Sequence, residues 1–316
     1  MIETAAIGEM YHFTAACHEE PPISSCAKAH EFNFDSYYKV SKLLKLPTPS
    51  KEFLAWFIGF SEGDGSFIKA TRGDLHFVVV QESKYDYILH YIQSQLGFGK
   101  VLKQGKTTSR FIVQDALNLY LIALIFNGNI VLPVKNENFL TWLNALNDKI
   151  KKGKFTRKLN KSEHSLILNA LVVIEPINTV QVLTLSNSWF SGFVDAEGLF
   201  FCYFKKKGKL YYNIGFDIAQ KDVKNQPVLD LLPLLFGVGK VYPHTVPNTW
   251  YFRVCGSKQS LKVLEYFERY PLRSNKLNNY LLWKEILKGL INKDHLINKD
   301  PTKLEHLMNL KNNLNK

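Results

Sequence analysis

The spacing of apolar positions divides residues 48–148 into short strands and longer helices. Runs that alternate or are rich in β-branched residues are typical of strands, whereas longer stretches with apolar residues at helical spacing predict helices. Strands are predicted over residues 66–71, 75–81, 100–103 and 110–114, and helices over residues 84–96, 116–126 and 136–146. With turns at 72–74 and 104–109, the order becomes strand, strand, helix, strand, strand, helix, helix.

One more helix is predicted ahead of these strands. Thr48 is a suitable N-cap, and Pro49 fits the first turn because its missing N–H would have no partner there. Gly65 is expected to end this helix, since glycine is favoured just past a helix end. Gly198 is expected to end a corresponding helix in the second half of the chain.

The chain contains an internal repeat. Residues 56–67 and 189–200 share the pattern W-F-x-G-F-x-[ED]-[GA]-[DE]-G-x-F. Further matches follow in the same order in both halves: FVVVQ at 77–81 with FDIAQ at 216–220, GxGKV at 97–101 and 237–241, and FxV at 111–113 and 252–254. An ordered set of matches indicates an internal duplication.

The duplication suggests four segments: an N-terminal extension (1–47), a first repeat (48–148), a basic linker and connecting segment (149–185), and a second repeat with C-terminal helices (186–316). We expect the extension to be poorly ordered, because its charge is near balance and it includes Pro21 and Pro22. The basic stretch at 149–161 fits either a solvated linker or a contact with phosphate.

The charge indicates a polyanionic partner. The net charge is +12 and the pI is about 9.3, which fits DNA, RNA, an anionic membrane surface, or a basic surface kept for solubility. No apolar run reaches the roughly 18 residues of a membrane span, so no spanning helix is expected. The four cysteines form no CxxC pair, so neither a disulfide framework nor a zinc ribbon is indicated.

The repeated pattern also predicts how the two halves meet. Gly59 and Gly63 lie four positions apart, as do Gly192 and Ala196, so each pair shares one helix face. Such small side chains let two helix backbones approach closely.

That packing would bring the two helix C-termini together with Asp64 and Glu197 at their tips. Carboxylates are unfavourable beside a helix C-terminus unless a cation lies between them. Hard oxygen ligands of this kind suit a divalent ion such as Mg²⁺.

Residues 57–65 (FIGFSEGDG) and 190–198 (FSGFVDAEG) resemble the nine-residue LAGLIDADG motif, and the chain resembles double-motif, single-chain LAGLIDADG homing endonucleases from about residue 50 to the C-terminal helices. The resemblance implies an α+β fold of two pseudo-symmetric αββαββα repeats forming a saddle of two antiparallel sheets. It implies a monomeric, intron-encoded enzyme that uses Mg²⁺, with Mn²⁺ or Ca²⁺ as substitutes in the site, to cut both strands of a DNA site of roughly two helical turns.

The resemblance also assigns roles. Asp64 and Glu197 match the catalytic metal-binding acids, with Gly63 and Ala196 beside them as further metal-site residues. Residues that match the water-ordering and phosphate-proximal positions of the family are Gln81, Gln220, Lys135 and Lys276. The first motif departs from the family pattern at Ser61. Glu62 and Asp195 lie on another helical face and are expected to be structural.

Basic or polar residues on or between the predicted strands are candidates for DNA contact: Ser66, Arg72, Lys100, Lys103, Lys106, Arg110, Lys205, Lys209, Lys240 and Arg253. A one-residue register slip would reverse the face of each, so the sequence alone cannot sort them. Two other functions remain open: an RNA maturase that assists intron splicing, and a cleavage-inactive DNA-binding protein.

Composition and the N-terminus suggest the compartment. Lysine, phenylalanine and tyrosine are abundant and only six of the 40 basic residues are arginine, as expected from an AT-rich gene. The first residues show no Arg-rich, acid-poor leader. Both features fit a gene read inside an organelle. The expected compartment is the mitochondrion, with the chloroplast as the alternative.

Overall fold

The computed structural model describes residues 31–153, 171–207, 209–296 and 300–315. Its α-helices are α1 (Asp35–Leu43), α2 (Lys51–Asp64), α3 (Tyr87–Leu96), α4 (Ala116–Phe126), α5 (Pro133–Lys151), α6 (Trp189–Glu197), α7 (Gln226–Phe236), α8 (Ser257–Arg269), α9 (Lys276–Ile291) and α10 (Pro301–Asn313). Its strands are β1 (Gly65–Lys69), β2 (Leu75–Glu82), β3 (Lys100–Gln104), β4 (Thr108–Val113), β5 (Gly198–Lys207), β6 (Lys209–Lys221), β7 (Lys240–Pro243) and β8 (Thr249–Cys255).

The two repeats have the same architecture. Each runs helix, hairpin, helix, hairpin, helix, from α2 to α4 and from α6 to α8. The sheets are antiparallel, with strand orders β1-β2-β4-β3 (sheet 1) and β5-β6-β8-β7 (sheet 2). This confirms the expected α+β fold of two αββαββα repeats.

Helices cover one face of each sheet. In sheet 1 the Phe67 ring lies 5.1 Å from Phe126 of α4 and 5.5 Å from Trp142 of α5. In sheet 2 the Phe200 ring occupies the corresponding place, 5.3 Å from Trp283 of α9. Since strand side chains alternate, the residues between these aromatic positions point to the opposite side, which we call the open face.

The first repeat helix begins later than predicted. Ser50, not Thr48, is the N-cap of α2, and its hydroxyl accepts a hydrogen bond from the Phe53 N–H. Gly65 does end the helix, but in extended rather than left-handed conformation. A β-carbon at Gly65 would lie 2.5 Å from the Ser61 carbonyl oxygen, so the close approach explains the glycine.

Part of the N-terminal extension is folded, which differs from the expectation. Helix α1 packs on the first repeat through the fully buried Tyr37, and Phe34 just before it is buried as well. The Asn129 amide donates to the Asn33 carbonyl at 2.8 Å and fixes the entry to this helix. Residues 1–30 and most of the basic linker, 154–170, lie outside the described part of the chain.

The described residues include no helix long and apolar enough to cross a membrane.

Candidate functional site

Helices α2 and α6 pack against each other through their smallest residues. A β-carbon on Gly59 would lie 2.0 Å from the Trp189 carbonyl oxygen, and one on Gly192 would lie 1.9 Å from the Trp56 carbonyl oxygen. One turn on, a β-carbon on Gly63 would lie 2.3 Å from that of Ala196. No side chain larger than hydrogen fits at Gly59 or Gly192, so the backbones touch, as the spacing predicted.

Two tryptophans tie the helices together across this contact. The Trp56 indole donates to Asp195 at 2.8 Å, and the Trp189 indole donates to Glu62 at 2.7 Å. All four residues are buried. Each acid therefore accepts a hydrogen bond from the opposite repeat, and the pair of bonds fixes the two helices in register.

The same two acids hold the start of a helix in their own repeat. Glu62 accepts from the Leu132 N–H at 2.6 Å just before α5, and Asp195 accepts from the Ser274 N–H at 3.0 Å just before α9. Burial raises the pKa of Glu62 to about 7, against the lowering effect of its donors. The contacts agree with the structural role expected for Glu62 and Asp195.

We expect Glu62→Gln to lower the free energy of unfolding by about 1–3 kcal/mol, because the new amide N–H₂ would face backbone donors and leave one of them unpaired. Trp189→Phe removes one hydrogen bond and part of a fully buried ring, and it should cost roughly 1–3 kcal/mol. Urea unfolding followed by circular dichroism measures both. Equal and negligible losses would contradict this role.

The tips of α2 and α6 form a cluster of acids, amides and lysines. Asp64 is the last residue of α2 and Glu197 is the last residue of α6. The Gln81 amide donates to the Asp64 carboxylate, and the Gln220 side chain hydrogen-bonds Glu197. The structure thus brings each acid together with the glutamine that the resemblance assigned to it.

Two lysines complete the cluster. The Lys135 ammonium donates to the Gly65 carbonyl at 2.6 Å, and the Lys276 ammonium donates to the Ala196 carbonyl at 2.7 Å. Both lysines stand in the first turn of the helices that Glu62 and Asp195 hold in place. Both lysines therefore reach the paired helix tips, where the resemblance placed them.

Burial disfavours the charged forms of the groups in this cluster. It raises the pKa of Asp64 to about 6, and the negative charge of Glu197 adds to the rise. Burial also lowers the pKa of Lys135 and of Lys276 from the usual range, against the pull of the nearby acids. Two neighbouring carboxylates whose charged forms are disfavoured in this way are stabilised by a cation between them.

The oxygen atoms at the helix tips suit a hard divalent cation. The described residues contain no group of three or more His, Cys, Asp or Glu placed to hold an ion by themselves, so the protein offers the Asp64 and Glu197 carboxylates with nearby carbonyl oxygens. Mg²⁺ characteristically takes one or two carboxylates and completes its shell with water and substrate phosphate. The Ala196 carbonyl already accepts from Lys276, which leaves it one lone pair.

The candidate DNA contacts fall in three places. Residues on the open faces of the sheets are Ser66, Lys100 and Arg110 in sheet 1 and Lys205, Lys240 and Arg253 in sheet 2. Arg72 and Lys106 lie in the turns between strands. The register turns Lys103 toward the opposite face, because it pairs with the buried Ser109, so Lys103 does not share the open face with the other strand candidates. The side chain of Lys209 lies outside the described part of the chain.

Sequence reasoning missed two residues that join the repeats. The Asn225 amide oxygen accepts from the Val134 N–H at 3.3 Å, and the Arg273 guanidinium donates to Glu52 at 2.9 Å. These partners are 91 and 221 positions apart along the chain. No local pattern marks such pairs.

A family model and several known proteins match the chain in sequence. A family model described as LAGLIDADG endonuclease matches residues 57–146 and 190–287. The chain is 35% identical over 270 residues to "Probable intron-encoded endonuclease 4" of Neurospora crassa, covering 84% of this chain and 44% of that relative. It is 24% identical over 225 residues to "Intron-encoded RNA maturase bI4" of Saccharomyces cerevisiae, covering 71% of this chain and 30% of the relative. The chain thus spans less than half the length of either relative.

The fold also matches solved structures. The structure of I-SmaMI bound to an uncleaved DNA target in the presence of calcium ions aligns with a TM-score of 0.68 at 20% identity, covering 83% of this chain and 99% of that one. At this identity the likeness concerns the fold.

Proposed function

The chain belongs to the LAGLIDADG endonuclease family, and on that premise we propose that it is a site-specific, Mg²⁺-dependent endonuclease that cuts both strands of a long DNA site. The observation that supports this most is the pair of acids, Asp64 and Glu197, at the touching tips of α2 and α6. One acid comes from each repeat. A pseudo-twofold arrangement of this kind suits a substrate with two antiparallel strands.

Each group of the cluster has a part in phosphodiester hydrolysis. Asp64 and Glu197 would hold the divalent cation, which when bound supplies charge neutralisation and an activated water. The Gln81 and Gln220 amides keep the carboxylates oriented and can hydrogen-bond the water that attacks. Lys135 and Lys276 bring positive charge to the place where charge develops on the phosphate.

The open faces provide the surface for the duplex. A two-stranded ribbon or sheet can enter the major groove, and the basic residues on these faces and turns lie where phosphates or base edges would pass. Two sheets on either side of the paired helix tips would span roughly two helical turns of DNA. A single chain contains both halves, so we propose that it acts as a monomer.

Selection from a randomised duplex pool tests the proposal and finds the target sequence at the same time. The purified chain is incubated with the pool, bound duplexes are recovered and sequenced, and an enriched duplex is placed in a supercoiled plasmid with Mg²⁺. Linear plasmid is the expected product, and it should be absent in EDTA. Binding without cutting would instead indicate the cleavage-inactive DNA-binding protein.

Lys100→Ala is expected to weaken binding on all duplexes and to reduce the slope of log K against log salt by about 1, because one phosphate contact is lost. Lys103→Ala removes the same charge from the opposite face of the same strand and serves as the matched control. Filter binding over a salt series measures both slopes. If Lys103→Ala lowered the slope as much as Lys100→Ala, the proposed orientation of the sheet on DNA would be wrong.

A second candidate function is assistance to RNA splicing, favoured by the likeness to a relative named as an intron-encoded RNA maturase. It predicts tight binding to a structured intron RNA with no enrichment of any duplex from the pool. The endonuclease is preferred, because both repeats keep the acid at the helix tip.

We also propose that the gene is expressed in an organelle, and that the mitochondrion is favoured over the chloroplast. The AT-rich codon bias of the composition and the likeness to a relative named as intron-encoded both support this.

A further inference from the structure

The open faces of the two sheets differ at equivalent positions beside the cluster of acids, amides and lysines at the tips of α2 and α6. In sheet 1 the residue after Gly65 pairs with Val78, and Val78 pairs with Ile112 on the next strand. In sheet 2 the residue after Gly198 pairs with Asp217, and Asp217 pairs with Arg253 on the next strand. Equivalent positions therefore carry two aliphatic side chains, both nearly buried, in sheet 1 and an ion pair in sheet 2.

The open face of sheet 1 carries an aliphatic patch that extends beyond this pair, among polar and basic residues such as Ser66, Lys100 and Arg110. Val78 and Ile112 form its floor, at 5% and 3% exposure, and exposed aliphatic neighbours surround them: Ile68, Val80 and Leu102. A shallow cavity of about 520 Å³ on this face is lined by Ile68, Val78 and Ile112 together with Arg72, His76 and Arg110. Exposed aliphatic groups arranged together in this way mark a contact surface.

The open face of sheet 2 is aromatic and polar instead. Arg253 donates to Asp217 through Nε at 2.7 Å and through a second nitrogen, and its guanidinium lies 4.7 Å from the Tyr251 ring centre. Its exposed large residues are mainly tyrosines, with Leu199 as the aliphatic exception. The charge of this arginine is therefore balanced within the protein.

No acid within the described residues forms an ion pair with Arg110 in sheet 1. This arginine lies between Val80 and Leu102, and its Nε is buried without a hydrogen-bond partner among the described residues. The residue is half-buried as a whole, so an acceptor on the ligand would meet its terminal guanidinium nitrogens rather than the enclosed Nε. The equivalent position of the second repeat is Tyr251, which pairs with Ala219.

We propose that the first repeat recognises a thymine-rich half-site around one guanine, and that the second repeat does not depend on thymine methyl groups. This rests on the proposed function. In the major groove the thymine 5-methyl is the apolar group among the base edges, and aliphatic side chains contact it. Arginine pairs in bidentate fashion with guanine O6 and N7, which fits the terminal guanidinium nitrogens of Arg110.

Replacement of thymine by deoxyuridine tests the methyl contacts. The enriched duplex from the pool is synthesised with uracil in one half-site or the other, and affinity is measured in Ca²⁺ buffer without Mg²⁺. Footprints of the Lys100→Ala and Lys240→Ala variants assign each half-site to its repeat. We expect the dissociation constant to rise about fourfold per contacted methyl in the first half-site and to change less than about twofold in the second.

Variants connect the effect to named residues. Val80→Thr keeps the shape but replaces a methyl with a hydroxyl, and it should reduce the uracil effect in the first half-site. Val172→Thr makes the same change at an exposed residue outside the sheets and should leave the effect intact. Equal sensitivity of both half-sites to uracil, or an unchanged uracil effect in Val80→Thr, would overturn the proposal.

Arg110→Lys keeps the positive charge but removes the planar guanidinium that can donate two parallel hydrogen bonds. It should lose roughly tenfold to hundredfold discrimination at one guanine of the first half-site, and 7-deazaguanine at that position should weaken binding of the unmodified protein alone. If Arg110→Lys kept full discrimination, the guanine contact would be wrong. Failure of any duplex to be enriched would overturn the proposed function itself, whereas enrichment and cutting without these effects would overturn only this inference.

Discussion

Asp64→Asn and Glu197→Gln are each expected to reduce double-strand cleavage by at least about 10³-fold. Each substitution replaces one of the two carboxylates that would hold the cation with a neutral amide. A metal ion stabilises the transition state of such a reaction by several kcal/mol, and each 1.4 kcal/mol or so changes the rate about tenfold. The two acids stand at touching helix tips, so neither can replace the other. Plasmid linearisation over time measures the rate.

Binding separates this effect from loss of the fold. Both variants should keep their affinity for the enriched duplex in EDTA within about threefold, because one neutralised charge beside a phosphate changes attraction only modestly. Glu305→Gln, at an exposed position on α10, is the matched control and should cut normally. Cleavage by Asp64→Asn or Glu197→Gln at the unmodified rate would refute the catalytic assignment.

Gly59→Ala and Gly192→Ala should be among the most damaging single-methyl changes in the described part of the chain. A new β-carbon would lie about 2 Å from a backbone carbonyl of the opposite helix, at 2.0 and 1.9 Å, where no side chain can move aside. Overpacking typically costs about 1–3 kcal/mol and more where backbone must shift, so we expect a loss of about 3 kcal/mol or more in the free energy of unfolding. Cleavage should fall as well, since the tips would separate.

Gly237→Ala is the control for this pair. That glycine has a left-handed φ of 65° but open space around it, so alanine should cost only about 1–2 kcal/mol and leave cleavage intact. Urea unfolding and plasmid cleavage compare the three variants. If Gly59→Ala unfolded at the same urea concentration as Gly237→Ala and still cut, the tight helix contact would not be needed.

The local pattern predicted the part of the fold that depends on neighbours in sequence. Alternation and helical spacing located the strands and helices, and the small residues at Gly59 and Gly192 predicted the helix contact. Errors arose at boundaries, where several residues could serve. Thr48 and Ser50 are both good N-caps, and the chain uses Ser50 because its hydroxyl reaches the Phe53 N–H.

Contacts between residues far apart in the chain could not be predicted from the local sequence pattern. The buried bonds from Trp56 to Asp195 and from Trp189 to Glu62 join positions 139 and 127 apart. The face of each strand residue also depends on register, which turns Lys103 away from the open face and places Arg253 beside Asp217. Pairing of that kind is decided by the assembled sheet and not by the strand alone.

The repeats are alike where geometry is shared and differ where DNA would be contacted. Both keep the tryptophan, the structural acid, the tip acid, the glutamine and the lysine. The open faces diverge instead, with Val78 and Ile112 in one repeat and Asp217 and Arg253 in the other. A duplicated frame with unlike faces suits a DNA site whose two halves differ in sequence.

Anomalous diffraction from crystals grown with Mn²⁺ and the enriched duplex tests most directly whether the paired helix tips form the metal site. We expect a manganese peak between the Asp64 and Glu197 carboxylates, with oxygen ligands at roughly the 2.0–2.2 Å typical of hard divalent ions of this size. A manganese peak elsewhere, or carboxylates that bind no ion while the duplex is cut in the crystal, would contradict the assignment.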